Sequence, residues 1–569
     1  MRHTRVLWAT AALFVTLHAL IAWHTRVPSI TTGNDDALYL LLARSLRALT
    51  YRDLWDAATP WHSQYPPLYP ALLAVTGALA GDRMDVHLAV NILLSAGALL
   101  VFFDAARRVA PWPGLLALAT AALNPSLLRA AGAIASEPLF LFLVALTLRM
   151  LIVGAPSVRT RAGAAASAIG GSLARGAGVT LVGAVGLLWL LERRWRDAVV
   201  LAAVAALTAG PWLIWTAIAP DQVAGRSYVA DALFFDPAER ELPPAAAPEG
   251  ERRAVEEGPA PGLLPGGRVE EELSDAASPG VGGAHSGVVW LIAQRIAHNV
   301  PAYLARRLPT LLAVPTRAGT IVDNLTWLAV LAVCGGAGLW LLARKWRVAV
   351  LWLACYALLL AVWPYSHARF LVPALPWIVF AIAAGAALLG ARWHRALALA
   401  LPLLVVAPSI AGAVAKDAAA VRAAARCDRA QPFISPGCFD EHERAFFVAV
   451  AFARDSLPPD AIVLTAKEGP FYYVSGRRTV QLLGAVGLKS DSLGRYLAGK
   501  RASYVLLSHI KLDEWALRGP LIELCPRLEV VRAWEPAAVL LRVLPEPRND
   551  PAATATCTAA VQRWAAVPW

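Results

Sequence analysis

The sequence predicts a polytopic α-helical membrane protein with about eleven spans and a small α/β domain at its C-terminal end. Three observations carry that expectation. Of the 569 residues, 58% are hydrophobic and only 16% charged, against roughly a quarter charged in soluble domains, and the mean hydropathy is +0.53. Apolar stretches recur over residues 1–415 at the length of about 20 residues that crosses a hydrocarbon core of about 30 Å. From residue 416 onward the pattern changes to short alternating runs, such as Ala461 to Thr465 and Ser503 to Ser508, the period of half-buried strands.

The spans are expected at 6–23, 87–106, 113–130, 137–154, 161–174, 177–192, 198–218, 321–343, 348–363, 370–390 and 396–415. The first lacks a small-residue cleavage site and reads as a retained anchor rather than a cleaved signal. The Gly-rich pair between Arg161 and Arg194 is short, and a broken or re-entrant helix stays open there beside two full spans. Basic clusters fall at alternate ends: Arg2, His3 and Arg5; Arg107 and Arg108; Arg159 and Arg161; Arg193, Arg194 and Arg196; Arg344, Lys345 and Arg347; Arg392 and Arg395. By the positive-inside rule those ends, and the N-terminus, are cytoplasmic. An odd number of crossings then leaves the C-terminal domain outside. The net charge of +12 is spent on these clusters rather than on one face or tail, which argues against nucleic acid as a partner and for membrane lipids.

Three regions lie outside the spans. Residues 24–86 form a long first loop with an amphipathic stretch, Leu38 to Leu49, and an apolar run ending at Ala80, which fits helices lying in the interface. Within residues 220–318, the tract 236–283 is rich in Pro, Gly, Ala and Glu and lacks the periodicity of a core, so a disordered external insertion is expected, followed by a helical Ser286 to Leu312. Residues 416–569 hold Cys427, Cys438, Cys525 and Cys557, an even number that signals disulfides in an oxidising compartment. Pairing of sequence neighbours is the simplest of three connectivities. Cys334 and Cys355 lie within spans and read as small buried hydrophobes.

Ionisable residues at the edges of the spans carry the chemical information. A charge costs roughly 2.5 to 3.5 kcal/mol near the middle of a spanning helix, so it is kept when solvated, paired or working. Asp35 and Asp36 stand soon after the first span and are either an ordinary solvated loop start or a functional pair. Glu137, followed by Pro138, opens the 137–154 span. It is either a dipole-favoured helix start, worth about 0.3 to 1 kcal/mol, or the second acid of a cleft shared with Asp35. Arg175 sits at an external turn between Gly-rich short segments, and Arg369 and His367 precede the 370–390 span. Arg369 suits a phosphate, since a guanidinium stays protonated and binds it bidentately; His367 is either a further donor or an ordinary structural histidine. Tyr39 and Tyr65 either shape a pocket or belong to the interfacial aromatic belt.

The order of these motifs adds a resemblance. Asp35-Asp36-x-x-Tyr39, Tyr65-Pro66-Pro67-Leu68, Ser136-Glu137-Pro138, Leu173-Ala174-Arg175 and His367-Ala368-Arg369-Phe370-Leu371-Val372-Pro373 follow one another on the same predicted side. Together, over residues 1–415, they resemble the C-type (GT-C) membrane glycosyltransferases, in particular the branch of protein O-mannosyltransferases, lipid A aminoarabinose transferases and Rgt-like enzymes. Two departures stand out: Asp36 replaces a frequent Glu, and Ala174 a frequent Thr.

The resemblance implies an enzyme of the bacterial inner membrane. It would move a sugar, hexosyl or pentosyl, from a polyprenyl-phosphate donor to a glycan, lipid or protein acceptor at the outer face, with inversion. Asp35 is implied as base, Asp36 and Glu137 as helpers, and Arg369, Arg175 and His367 as donor-phosphate ligands, while Tyr39 and Tyr65 line the substrate pocket. No cofactor and no catalytic metal are implied. A transporter and a non-catalytic envelope scaffold remain as alternatives; the first predicts internal repeats, and none is visible. Walker loops, dinucleotide fingerprints, nucleophile elbows and zinc-protease motifs are also absent from the sequence.

Overall fold

The computed structural model describes residues 2–154, 157–219, 288–314, 321–535 and 537–567. The tract 236–283, expected to be disordered, lies outside the described residues. The first half of the helical part runs α1 (Arg2–Thr25), α2 (Asp35–Arg47), α3 (Leu68–Ala80), α4 (Met84–Ala106), α5 (Pro111–Ala122), α6 (Pro125–Ala131), α7 (Glu137–Val153), α8 (Val158–Ala174), α9 (Val179–Leu191), α10 (Trp195–Thr208) and α11 (Gly210–Ile218). Further helices follow at Val288–Ala302, Ile321–Val330, Gly336–Lys345, Arg347–Val362, Leu375–Ala391 and Arg395–Ala424. An isolated backbone in hydrocarbon must satisfy its own polar groups, which is why every expected apolar stretch is helical. Among the described residues five helices are long and apolar enough to cross a membrane, or seven when two bent pairs count as one span each.

The bends correct two expected straight spans. The 113–130 stretch breaks by 62° between α5 and α6, and the 198–218 stretch by 52° between α10 and α11. Prolines explain both. Asn124 precedes Pro125, which pushes it out of the helical region (φ −74°, ψ 122°), and its side chain then caps α6 by accepting the Ser126 and Leu127 amides. At the second bend Pro211 stands in the first turn of α11, where its ring cannot continue the preceding helix, although Ala209 before the turn stays helical (φ −92°, ψ −24°) and no side chain caps α11. Elsewhere small residues set close packing: a Cβ on Gly338 would strike the Ala381 backbone, and one on Gly385 the Cys334 backbone, so the helices Gly336–Lys345 and Leu375–Ala391 touch almost directly.

The terminal part is an α/β unit. Strands β1 (Ile462–Thr465), β2 (Arg478–Gln481), β3 (Tyr504–Leu507), β4 (Leu528–Trp534) and β5 (Ala538–Val543) form one sheet in the order β2-β1-β3-β5-β4. β1 pairs in parallel with β2 and β3, and β5 is antiparallel to β3 and β4. Val463, Leu464, Val505, Leu506, Leu507 and Leu541 are fully buried, which accounts for the apolar runs legible at 461–465 and 503–508. Cys427 bonds to Cys438 and Cys525 to Cys557, joining sequence neighbours as expected, while Cys334 and Cys355 are free.

The α/β unit rests on the first loop. Thr479 donates its amide and hydroxyl to the Trp55 carbonyl, at 2.8 and 3.0 Å. The Arg478 guanidinium reaches the Ala57 carbonyl, at 3.0 Å. At the other end of the contact Thr32 donates to Glu443 and Asn34 bonds Glu468 and Gly469. Strand β2 and the starts of the helices Glu441–Ser456 and Glu468–Ser475 thus meet the loop that leads into α2.

Candidate active site

The turn Thr31–Asn34 delivers two adjacent acids into the first turn of α2, and the helix then separates them. Successive residues point about 100° apart around a helix, so one carboxylate faces the transmembrane helices and the other faces back along the turn. Asp36 is the one turned back. Its Oδ2 accepts the Thr31 amide at 2.5 Å and its Oδ1 the Ala37 amide at 2.8 Å. Burial pushes its carboxyl up to about 6, against these hydrogen bonds.

Asp35 is the one that meets the cluster. Its Oδ2 accepts Arg369 Nη2 at 2.7 Å and its Oδ1 accepts the Tyr65 hydroxyl at 2.7 Å. Burial raises this carboxyl, but Arg369, by charge and hydrogen bond, together with Tyr65 and Arg175, outweighs it and holds Asp35 below the usual carboxylate range. Arg369 also lies with its Nε 3.8 Å from Glu137 Oε1, and Arg175 Nη1 forms an ion pair with the same oxygen at 2.8 Å. Two acids and two guanidiniums therefore form one neutral cluster.

Each member is delivered by a break in its helix. Glu137 opens α7, with Pro138 behind it. Arg175 ends α8 in extended backbone (φ −154°), at a turn where Gly178 lies so close to the Gly171 backbone that no Cβ fits. Arg369 sits in the 3₁₀ stretch Ala368–Ala374, whose Phe370 carbonyl accepts the Tyr356 hydroxyl at 2.5 Å. The Phe370 ring lies 5.9 Å from each of the two guanidiniums, a cation–π contact that holds them on one side. Depth separates the pairs: the Glu137 and Arg175 side chains are 8% and 15% exposed, those of Asp35 and Arg369 29% and 42%. A ligand coming from solvent reaches Asp35 and Arg369 first.

Tyr39 and Tyr65 join this cluster. Their rings are 4.8 Å apart, and the Tyr39 hydroxyl donates to Ser136 Oγ at 3.1 Å, which also accepts Arg175 Nη1 at 3.1 Å. The His367 ring lies against Tyr365 and Phe370. Among the described residues no three His, Cys, Asp or Glu side chains converge to hold a metal ion.

Several contributors go unmarked by sequence reasoning. Ser136 is legible only as part of its motif, with no role, yet it links Tyr39 to Arg175. Tyr69 packs edge-on to Tyr39 and donates to Asn91. His62 Nδ1 lies 2.6 Å from Asp53 Oδ1, and its Nε2 accepts the Tyr65 amide at 2.7 Å while the ring stacks on Tyr65. With Nε2 accepting, Nδ1 carries the proton toward Asp53. That pair fixes the ring that hydrogen-bonds Asp35. The only sequence signal is a histidine three residues before Tyr65.

No protein-family model matches the sequence, and no curated protein does. Solved structures do match in fold. The aminoarabinose transferase ArnT from Cupriavidus metallidurans, bound to undecaprenyl phosphate, superposes with a TM-score of 0.51 at 16% identity, covering 94% of this chain and 99% of that one. The archaeal oligosaccharyltransferase AglB from Archaeoglobus fulgidus, in complex with an inhibitory peptide and a dolichol-phosphate, gives a TM-score of 0.51 at 13% identity, covering 87% of this chain and 69% of that one. The near-complete mutual coverage with ArnT shows that this chain shares the fold of these two membrane transferases.

Proposed function

We propose that the protein is an inverting membrane glycosyltransferase that takes a hexosyl or pentosyl group from a polyprenyl-phosphate donor and passes it to a hydroxyl of a glycan, lipid or protein acceptor at the outer face of the bacterial inner membrane. The observation that carries this reading is the meeting of Asp35, Glu137, Arg175 and Arg369, from four separate segments, in one neutral cluster. The lipid phosphates bound in the two similar structures, undecaprenyl phosphate and dolichol-phosphate, support a lipid phosphate as the group that Arg369 and Arg175 receive. The two disulfides support an oxidising location for the terminal domain, and the basic clusters at alternate span ends support a cytoplasmic N-terminus.

The chemistry follows from charge. The donor phosphate competes with Asp35 for Arg369, so binding neutralises the phosphate and frees Asp35 Oδ2 in one event. The acceptor oxygen then attacks the anomeric carbon from the face opposite the phosphate. As the new C–O bond forms, the bond from that carbon to the phosphate oxygen breaks, its electron pair leaving with the phosphate. Asp35 takes the acceptor proton, a contribution of about 10² to 10⁴ in rate. Positioned cations at the departing phosphate add the electrostatic share. Tyr65, donating to Asp35 Oδ1, leaves Oδ2 as the basic oxygen. Glu137 stays with Arg175 and holds that guanidinium toward the phosphate. Asp36, spent on the Thr31 and Ala37 amides, keeps the turn rather than the proton.

The test is incubation of purified protein with a panel of polyprenyl-phosphate sugars and candidate acceptors, following both sugar transfer and free polyprenyl phosphate by mass spectrometry. Release that depends on Asp35 supports the reading. Wild-type protein inert toward the whole panel, with or without acceptor, would overturn it.

A further inference from the structure

Asn34, the residue before the candidate base, has φ 77° and ψ −47°. This lies outside the left-handed basin that Asn tolerates and near the strained γ-turn region. A residue stays there when its surroundings over-determine it. Asn34 occupies the N-cap position of α2, but its side chain does not cap the helix. It spans instead to the terminal domain: Nδ2 donates to Glu468 Oε1 at 3.1 Å, and Oδ1 accepts the Gly469 amide at 3.1 Å. Glu468 is itself buried, and its Oε1 also accepts Gln481 Nε2 at 3.3 Å. Gly469 lies against α2 so closely that an added Cβ would come within 2.7 Å of Leu38 Cδ2 and 2.9 Å of Asn34 Oδ1. Two residues earlier Thr32 is bonded to Glu443 of the same domain.

We propose that Glu468 and Gly469 of the terminal domain are positioning residues for transfer: by gripping the Asn34 side chain they hold the strained backbone that aims Asp35 at Arg369. The inference rests on Asp35 being the base. Neither residue touches the reacting atoms. Their effect passes through one backbone conformation, and this gives a discriminating substitution, because glycine adopts positive φ without strain whereas alanine does not. A grip that served only to dock the domain would be lost equally with either residue at position 34.

The experiment uses the full-length protein and the variants Asn34→Ala, Asn34→Gly, Glu468→Ala and the double variant Asn34→Gly/Glu468→Ala. Turnover at saturating donor is measured beside affinity for a polyprenyl phosphate and hydrogen exchange of the amides at 31–40. The expected result is a kcat lowered about tenfold in Asn34→Ala and Glu468→Ala, in line with the cost of releasing one strained residue. Polyprenyl-phosphate affinity stays within about twofold, because Arg369 is untouched. Asn34→Gly loses far less, and it restores most of the turnover when added to Glu468→Ala. Exchange at 31–40 rises in the two alanine variants and falls back in the double variant, while exchange elsewhere reports that the chain remains folded. Equal losses in Asn34→Ala and Asn34→Gly, or unchanged exchange at 31–40 in Glu468→Ala, would overturn the proposal. If wild-type protein transfers no sugar, the transferase reading fails by itself, and the exchange measurements still decide whether the grip holds this turn.

Discussion

Asp35 and Arg369 are 334 positions apart in sequence and joined by a 2.7 Å hydrogen bond between Oδ2 and Nη2. The pair sets base and phosphate ligand against each other in the resting protein. A carboxylate bound to a guanidinium is a weak base, and a guanidinium bound to a carboxylate is a partly satisfied phosphate ligand. Donor arrival resolves both.

Asp35→Asn therefore has two expected effects of opposite direction. Turnover falls by at least about a hundredfold, because the amide keeps the shape but accepts no proton. Affinity for polyprenyl phosphate is unchanged or tighter, because Arg369 loses a charged competitor. Turnover assays and direct lipid binding on the same preparation check it; near wild-type turnover would move the base elsewhere, and weakened binding would contradict the competition.

Arg369 and Arg175 are expected to fail differently when removed. Arg369→Ala, at the more exposed end of the cluster, should weaken polyprenyl-phosphate affinity about ten- to hundredfold with a small effect on stability, since one charge-assisted bidentate contact is lost. Arg175→Ala leaves the buried Glu137 carboxylate without its 2.8 Å partner and should cost stability on the order of 3 to 5 kcal/mol. Adding Glu137→Gln to Arg175→Ala removes the stranded charge, so thermal stability should recover while donor binding does not. Melting temperature and lipid affinity, measured for all four proteins, separate the two roles.

Asp36 gives a pH signature of its own. Its folded carboxyl is raised to about 6 from 3.8, so the folded chain holds its proton more tightly than the unfolded chain does. The stability this contributes is present below about pH 4 and is lost as pH rises to about 6, a change on the order of 3 kcal/mol. Glu514, raised by burial to about 7, slopes the same way, so the quantity to read is the difference between wild type and Asp36→Asn. The variant should flatten the melting temperature between pH 4 and 6 and keep turnover at pH 7 within a few-fold. A turnover loss matching that of Asp35→Asn would place both acids in the chemistry.

Much of this architecture is legible in the sequence, for physical reasons that also mark where legibility ends. An apolar run long enough to cross a bilayer has one way to satisfy its backbone, so every expected stretch is helical. The kinks at Asn124–Pro125 and Gly210–Pro211 escape a reading that averages hydropathy over a window. Asp35, Glu137, Arg175 and Arg369 are visible because a charge at the edge of a span is costly and therefore conspicuous. A cleft shared by Asp35 and Glu137 is legible as one of two readings, whereas the ion pair of Asp35 with Arg369 is not, since it depends on separate helix breaks facing one another. Sequence also cannot say which of two adjacent acids turns inward, and it misses His62 and Asp53, which sit in a polar loop where neither stands out. The grip of Glu468 on Asn34 is a contact between two parts of the chain, each unremarkable by itself.

The disulfides supply the last prediction, which bears on the side of the membrane that the site occupies. Cys525 and Cys557 are almost fully buried, and their bond ties the helix Pro551–Ala565 to the turn before β4. Cys427–Cys438 closes a shorter loop just beyond the helix Arg395–Ala424, with Cys427 partly exposed. Loops of 11 and 32 residues are worth about 3 and 4 kcal/mol in the chain-entropy model, a large share of a small domain's stability. Protein taken from its native envelope, denatured without reductant and alkylated, should therefore label two of its six cysteines, Cys334 and Cys355. Prior treatment of the folded protein with mild reductant should open Cys427–Cys438 first, because a thiolate can reach it, and the buried bond only on unfolding. Peptide mapping assigns each crosslink. Labelling of all six in unreduced protein would put the terminal domain in a reducing compartment. Asp35, on the loop where that domain docks, would then lie on the cytoplasmic side, and the donor would have to be presented there.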